Sequence, residues 1–219
     1  MSKSLWWVPV ATGLQNGVNP CLLITAALVL LGLLWFKRAG IHRAWIILLI
    51  VSIIVSSFTF NCGFHDKIVL NSYFEIIARC VYAVLGILVG LKGLKFLNEW
   101  FLLLKGKEIK SQAPVELRLS AITLIVIIPL MGFLLSMLAS VWPVSFYMVV
   151  FSAYMAMPGQ LIPLGLLILL YTALSLWIVY LVIGVSFLES KNQRLFKIIA
   201  AAILLSASLG VLDIVFMKG

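Results

Sequence analysis

A cysteine, Cys21, follows directly on Asn19 and Pro20 inside the long apolar stretch GLQNGVNPCLLITAALVLLGLLWF. Its thiol is the group that makes and breaks disulfides, provided a second thiol can reach it. Pro20 removes one backbone donor and clashes with the carbonyl one turn earlier, so a helix running through it kinks or breaks. A bilayer tolerates such a break only where the released backbone groups are buried in protein or line a wet cavity. The triplet therefore marks a site at one defined depth, with thiol redox chemistry as one reading. The other reading is a small buried side chain packed beside a kink. Asn16 and Asn19, three residues apart, share a helix face with Gly13 and Pro20. They are predicted either to bond the carbonyls that Pro20 releases or to line a polar cavity.

The other cysteines are Cys62 and Cys80. Three thiols make no disulfide framework, and at most one pair can exist at a time. Cys21 lies roughly 24 Å into its segment and Cys80 roughly 10 Å into its own, counted from the same side at the helical rise. A disulfide needs Cα atoms within about 7 Å, which a straight first helix does not allow and a broken one could. Cys62 belongs to Asn61-Cys62-Gly63-Phe64-His65-Asp66, a cluster that could hold a soft metal or form a short solvated turn. Glu75 and Arg79, four apart, are predicted to pair on one face. Asp213 is predicted to lie near the end of the last helix. The sequence holds no C-x-x-C-H, and its glycines lie in apolar helices, so no haem, flavin or nucleotide cofactor is expected.

The elements that must carry these residues follow from composition. The chain has 219 residues, 64% hydrophobic and 11% charged, with a mean hydropathy of +1.21. Soluble domains are about half apolar and roughly a quarter charged, so this chain reads as an integral membrane protein with no room for a soluble catalytic domain. Apolar segments are predicted over 5–36, 44–60, 73–94, 119–154, 161–188 and 195–216, which makes six spans. The first is read as a retained helix rather than a signal peptide, with Trp6 and Trp7 at the interface.

The formal charge of +9 follows the loops rather than marking a nucleic-acid footprint. Lys37, Arg38, Arg43, Lys92, Lys95, Lys105, Lys107, Lys110, Arg118, Lys191, Arg194 and Lys197 place twelve of the 16 basic residues on one side. The positive-inside rule then puts both termini outside the cytoplasm, in a bacterial-type inner membrane.

Three spans per half is an odd number, so two such halves insert with opposite orientation. A shift of 123 residues lays Pro20 on Pro143, the second helix on the fifth and the third on the sixth. The fold expected is all-α: two inverted three-helix repeats, 1–97 and 119–219, with helices one and four broken at Pro20 and Pro143. Residues 98–118 are expected to form an amphipathic linker between them. Paired broken helices of this kind build the midplane sites of many transporters. Gly86, Gly90 and Gly93 predict close packing of the third helix, and Pro158 and Pro163 predict a tight turn before the fifth.

On the GLQNGVNPC segment, the six helices, the outside termini and the matching proline of helix four, the chain resembles the CcdA/DsbD family of membrane thiol-disulfide electron carriers. That family lies within the LysE-type transporter superfamily. The resemblance implies a Pro-adjacent cysteine in each half, paired in a disulfide between the repeats. It also implies cytoplasmic thioredoxin as reductant and an extracytoplasmic thioredoxin-like protein as acceptor. The chain departs from that pattern in Ser140-Val141-Trp142-Pro143-Val144, where Val144 stands in place of the second cysteine. The implied activity, transfer of reducing equivalents for cytochrome c biogenesis, then requires Cys21 to pair with Cys80 or Cys62.

Three functions compete. The first is the thiol-disulfide carrier working through Cys21. The second is a redox-inactive relative serving as an assembly or structural subunit of a larger membrane complex. The third is a small-solute or metal-ion transporter, against which the helices show few carboxylates or histidines.

Overall fold

The computed structural model describes residues 4–38, 43–59, 72–107, 121–139 and 161–217. Among these there are eight helices and no strand. They are α1 (Ser4–Gly17), α2 (Pro20–Arg38), α3 (Arg43–Thr59), α4 (Ser72–Leu104), α5 (Ala121–Ala139), α6 (Leu161–Ser175), α7 (Trp177–Lys191) and α8 (Gln193–Met217). Helix follows from the chemistry of the segments. They are apolar, and only a helix or a closed barrel satisfies a backbone that meets no water. Three helices, α2, α4 and α8, are long and apolar enough to cross a membrane. The α6–α7 pair, bent by 42°, makes a fourth if it is one broken span. The chain has the helix lengths and composition of an α-helical membrane protein.

At the centre stands α2. In its apolar window 61% of the residues are buried, against 28% in α4 and 33% in α8. Cys21, Ile24, Ala26, Ala27, Leu30 and Phe36 are all buried, and the helix packs against α4, α5, α7 and α8. The small residues Ala26 and Ala27 let neighbouring backbones approach.

Around it the helices pair. Helices α4 and α8 run antiparallel, with Gly86 against Leu212, Gly90 against Ser208 and Gly93 against Leu205. The glycine stripe of the third span is thus a packing surface. Helix α1 lies along α6, where Gly13 meets Leu174 and the carbonyl of Tyr171. Helix α3 lies along α5, where Gly132 meets Ser52 and Ile53. There Ser57 donates to Ser136 Oγ at 3.1 Å, and Ser136 donates onward to the Ile53 carbonyl at 2.9 Å. Pro129 lies inside α5 without ending it.

Several sequence expectations change. The third span was expected to end at Leu94 and give way to a linker over 98–118, yet α4 continues to Leu104. It stops at Gly106, whose φ of +71° suits glycine. Gly106 N–H bonds the Leu103 carbonyl and Lys107 N–H the Leu102 carbonyl, a Schellman closure. The apolar run Trp100–Leu104 carries the helix past its lysines. The fifth span, expected to be continuous over 161–188, is two helices meeting at Leu176. Lys197, read as a loop charge, sits inside α8 and is 5% exposed. Pro143, Val144 and Cys62 lie outside the described residues, as do His65, Asp66, Pro158 and the side chain of Glu75.

Candidate functional site

The helix expected over 5–36 is interrupted at Val18 and Asn19. Helix α1 closes with tightened turns: Val18 N–H to the Gln15 carbonyl at 3.3 Å and Asn19 N–H to the Asn16 carbonyl at 2.8 Å. Asn19 then starts α2. Its side-chain Oδ1 accepts the Cys21 N–H at 3.0 Å, and its carbonyl accepts the first full helical bond, from Leu23 N–H at 2.9 Å. This is an N-cap, for which asparagine is among the best residues. Pro20 occupies the first helical position, where the missing N–H would have had no partner in any case.

Asn19 satisfies an amide rather than a carbonyl, and its Nδ2 reaches back to Asn16 Oδ1 at 3.4 Å. Asn16 itself is buried. The proline ring packs on α8 at Gly210, where an added Cβ would come within 3.3 Å of it.

Cys21 occupies the first turn of α2 and is 0% exposed. Below it Thr25 Oγ1 donates to the Cys21 carbonyl at 2.9 Å and to the Leu135 carbonyl of α5 at 3.4 Å, tying the two helices together. Beside it lies Tyr82 of α4, also 0% exposed, whose hydroxyl is hydrogen-bonded to the thiol. The thiol thus has a hydroxyl for a neighbour.

Cys80 is elsewhere. It precedes Tyr82 by two residues, which turns it by about 200° around α4, and it is exposed. Neither Cys21 nor Cys80 is in a disulfide. The structure brings Cys21 together with Asn19, Thr25 and Tyr82, and does not bring Cys80 to it. Tyr82 went unread in the sequence. Its signal was a phenol in the apolar run VYAVLGILVG, because a buried tyrosine hydroxyl has to find a partner.

A second interruption faces the first. Between α6 and α7 the chain bends at Leu176, and the next residue, Trp177, reaches across to α1. Its indole N–H donates to the Leu14 carbonyl at 3.1 Å, one of those that the end of α1 leaves without a helical partner. Its ring lies on Gly17, with Nε1 only 2.0 Å from where a Cβ would stand.

The other buried polar centre joins α4 to α8 near one end of the bundle. Lys197 bonds Glu99, with Lys95 Nζ 4.0 Å from the same carboxylate. The ammonium also stands 4.4 Å from the centroid of Phe96, a cation–π contact, and Phe96 and Phe196 meet edge to face at 6.0 Å. Each charge is buried against the other, so removing one strands its partner at a cost of about 3–5 kcal/mol. At the same end Lys37 of α2 bonds Glu189 of α7 at 2.8 Å. Sequence position alone hid the Glu99–Lys197 pair, whose members are separated by 98 residues.

No protein-family model, no curated protein and no solved structure matches this chain.

Proposed function

We propose that this protein is a structural or assembly subunit of a membrane complex, built on the inverted-repeat plan of the CcdA/DsbD family but without its dithiol chemistry. The observation that carries this reading is the setting of Cys21. The thiol is sealed from solvent, hydrogen-bonded to Tyr82, and on the far side of α4 from Cys80. An asparagine cap and a first-turn proline account for the Asn-Pro-Cys triplet as a helix joint, with no catalytic role needed.

The helix pairing supports two related halves. Exchanging them takes α1 onto α5 and α6 onto α3, so that the α1–α6 contact becomes the α5–α3 contact. The α4–α8 contact maps onto itself. The glycines at the two equivalent contacts, Gly13 and Gly132, agree with the 123-residue shift to within about one helical turn. In this reading the end bearing Lys37, Lys92, Lys95, Lys105, Lys107, Lys191 and Arg194 faces the cytoplasm, and both termini lie outside it.

A second reading keeps a thiol carrier. Cys21 sits in the first turn of a helix, where unpaired amides favour negative charge. That reading needs α2 and α4 to part and a partner protein to supply the second thiol.

One experiment separates the two. Membranes carrying the protein are treated with a maleimide, and separately with a thioredoxin whose resolving cysteine is replaced by serine. The subunit reading expects no labelling at Cys21 before denaturation and no mixed disulfide through it. It also expects Cys21→Ser to co-purify with the same partners as the native chain. A mixed disulfide through Cys21 would establish the carrier instead.

A further inference from the structure

The basic end of the α4–α8 pair carries a surface that the thiol site leaves unexplained. Helix α4 has 33 residues, which at the helical rise is about 50 Å, against a hydrocarbon core of about 30 Å. Lys92, Lys95, Lys105 and Lys107 mark its C-terminal end as the one at headgroup level. There the last turns expose two kinds of side chain. Leu94, Phe101 and Leu104 are 54%, 49% and 51% exposed, and their spacing of seven and three residues puts them on one stripe. Lys92, Lys95, Lys105 and Lys107 are exposed around them.

The charges here are not balanced from within. Residues 92–107 contain four lysines and one acid, Glu99. That carboxylate is turned inward onto Lys197. The neighbouring acid, Glu189, is held by Lys37. Because α4 and α8 run antiparallel through Gly93–Leu205 and Glu99–Lys197, exposed Arg194 comes level with the end of α4. The first turn of α8 adds its positive helix end there, capped by Asn192, whose Oδ1 accepts the Leu195 N–H. The sequence of 108–118 adds two acids, Glu108 and Glu116, against two bases, Lys110 and Arg118, and so leaves the excess unchanged.

We propose that residues 92–107 of α4, with Arg194, form a docking surface for anionic phospholipid. Acyl chains lie along Leu94, Phe101 and Leu104, and the phosphate sits among the lysine ammoniums. An exposed apolar stripe flanked by lysines is the pattern of a helix held at the membrane interface, and juxtamembrane lysines are drawn to anionic lipid.

The full-length protein, purified in a zwitterionic detergent and titrated with phosphatidylglycerol or phosphatidylcholine, reads this by native mass spectrometry. Phosphatidylglycerol is expected to bind at least about tenfold more tightly, since each lysine near an anionic surface contributes roughly fivefold. The combined variant K92Q, K95Q, K105Q and K107Q is expected to lose most of that preference. Equal binding of the two lipids by the native chain overturns the proposal, whether or not the variant folds, and so does a preference that survives in a folded variant. A fluorophore at Phe101→Cys, in a chain with Cys62→Ser and Cys80→Ser and in vesicles containing phosphatidylglycerol, is expected to be shielded from a water-soluble quencher. Full quenching in vesicles together with shielding in native membranes would assign the surface to a protein partner and overturn the lipid assignment.

Discussion

The break between α1 and α2 is closed from within its own chain segment, whereas the bend between α6 and α7 is braced from across the bundle. At the first, Asn19 caps the new helix, Pro20 needs no partner, and the tightened turns bond the Gln15 and Asn16 carbonyls. At the second, Leu176 N–H still reaches the Thr172 carbonyl at 3.2 Å and Tyr180 N–H the Leu176 carbonyl at 3.1 Å. The 42° bend carries Trp177 to Leu14 and Gly17 of α1. One interruption is local chemistry and the other is a tertiary fit. They differ accordingly in what should break them.

The largest effect is expected where the two meet. Gly17→Val places a side chain where the Trp177 ring stands, which costs about 3 kcal/mol by overpacking. Gly184→Ala, with nothing within 4 Å of its Cβ, is the control without a clash, and is expected to be as stable as the native chain or more so. Equal melting temperatures for the two variants in detergent would remove the tertiary half of the comparison. Asn19→Ala is expected to lose about 1 kcal/mol with the N-cap, seen as a lower melting temperature and faster amide exchange confined to the first turn of α2. Trp177→Phe deletes the donor to Leu14 and, with it, the five-membered ring whose Nε1, Cδ1 and Cε2 lie on Gly17. A loss of at least about 0.6 kcal/mol is expected, the usual size of a hydrogen bond between membrane helices, and no loss would mean that Trp177 does not hold the bend.

The smallest effect belongs to Pro20→Ala. A first-turn proline that already fits its backbone is expected to change stability by about 0.5 kcal/mol or less. A gain near 3 kcal/mol, as when a proline is removed from a helix interior, would show that the joint is a strained kink after all.

The same contrast explains what could be read in advance. Pro20 announces its break because its ring and missing donor act on residues within one turn, and the glycines of α4 announce packing by their spacing. Leu176 carries no such mark, since the bend depends on a glycine and a carbonyl some 160 residues away. The end of α4 was misplaced because Lys92 and Lys95 look like a membrane boundary when their neighbours are unknown. In the structure the helix continues beneath them through Phe96 and Glu99, which pack inward. Cys21 was legible as a special position, but its partner was not. The chemistry of a thiol depends on what stands beside it, and Tyr82 arrives from a helix 61 residues further on.

The Glu99–Lys197 pair also bears on how the chain is made. Spans enter a membrane in order, so α4 is inserted with Glu99 well before Lys197 exists. Until α8 emerges, that carboxylate has only the exposed, loosely placed Lys95 for company. The last described helix then brings the ammonium that completes the pair, and with it Phe196 against Phe96. Docking of α8 is thus a completion signal. A chain truncated before residue 197 leaves the Glu99 carboxylate without its buried ammonium and Phe96 without Phe196.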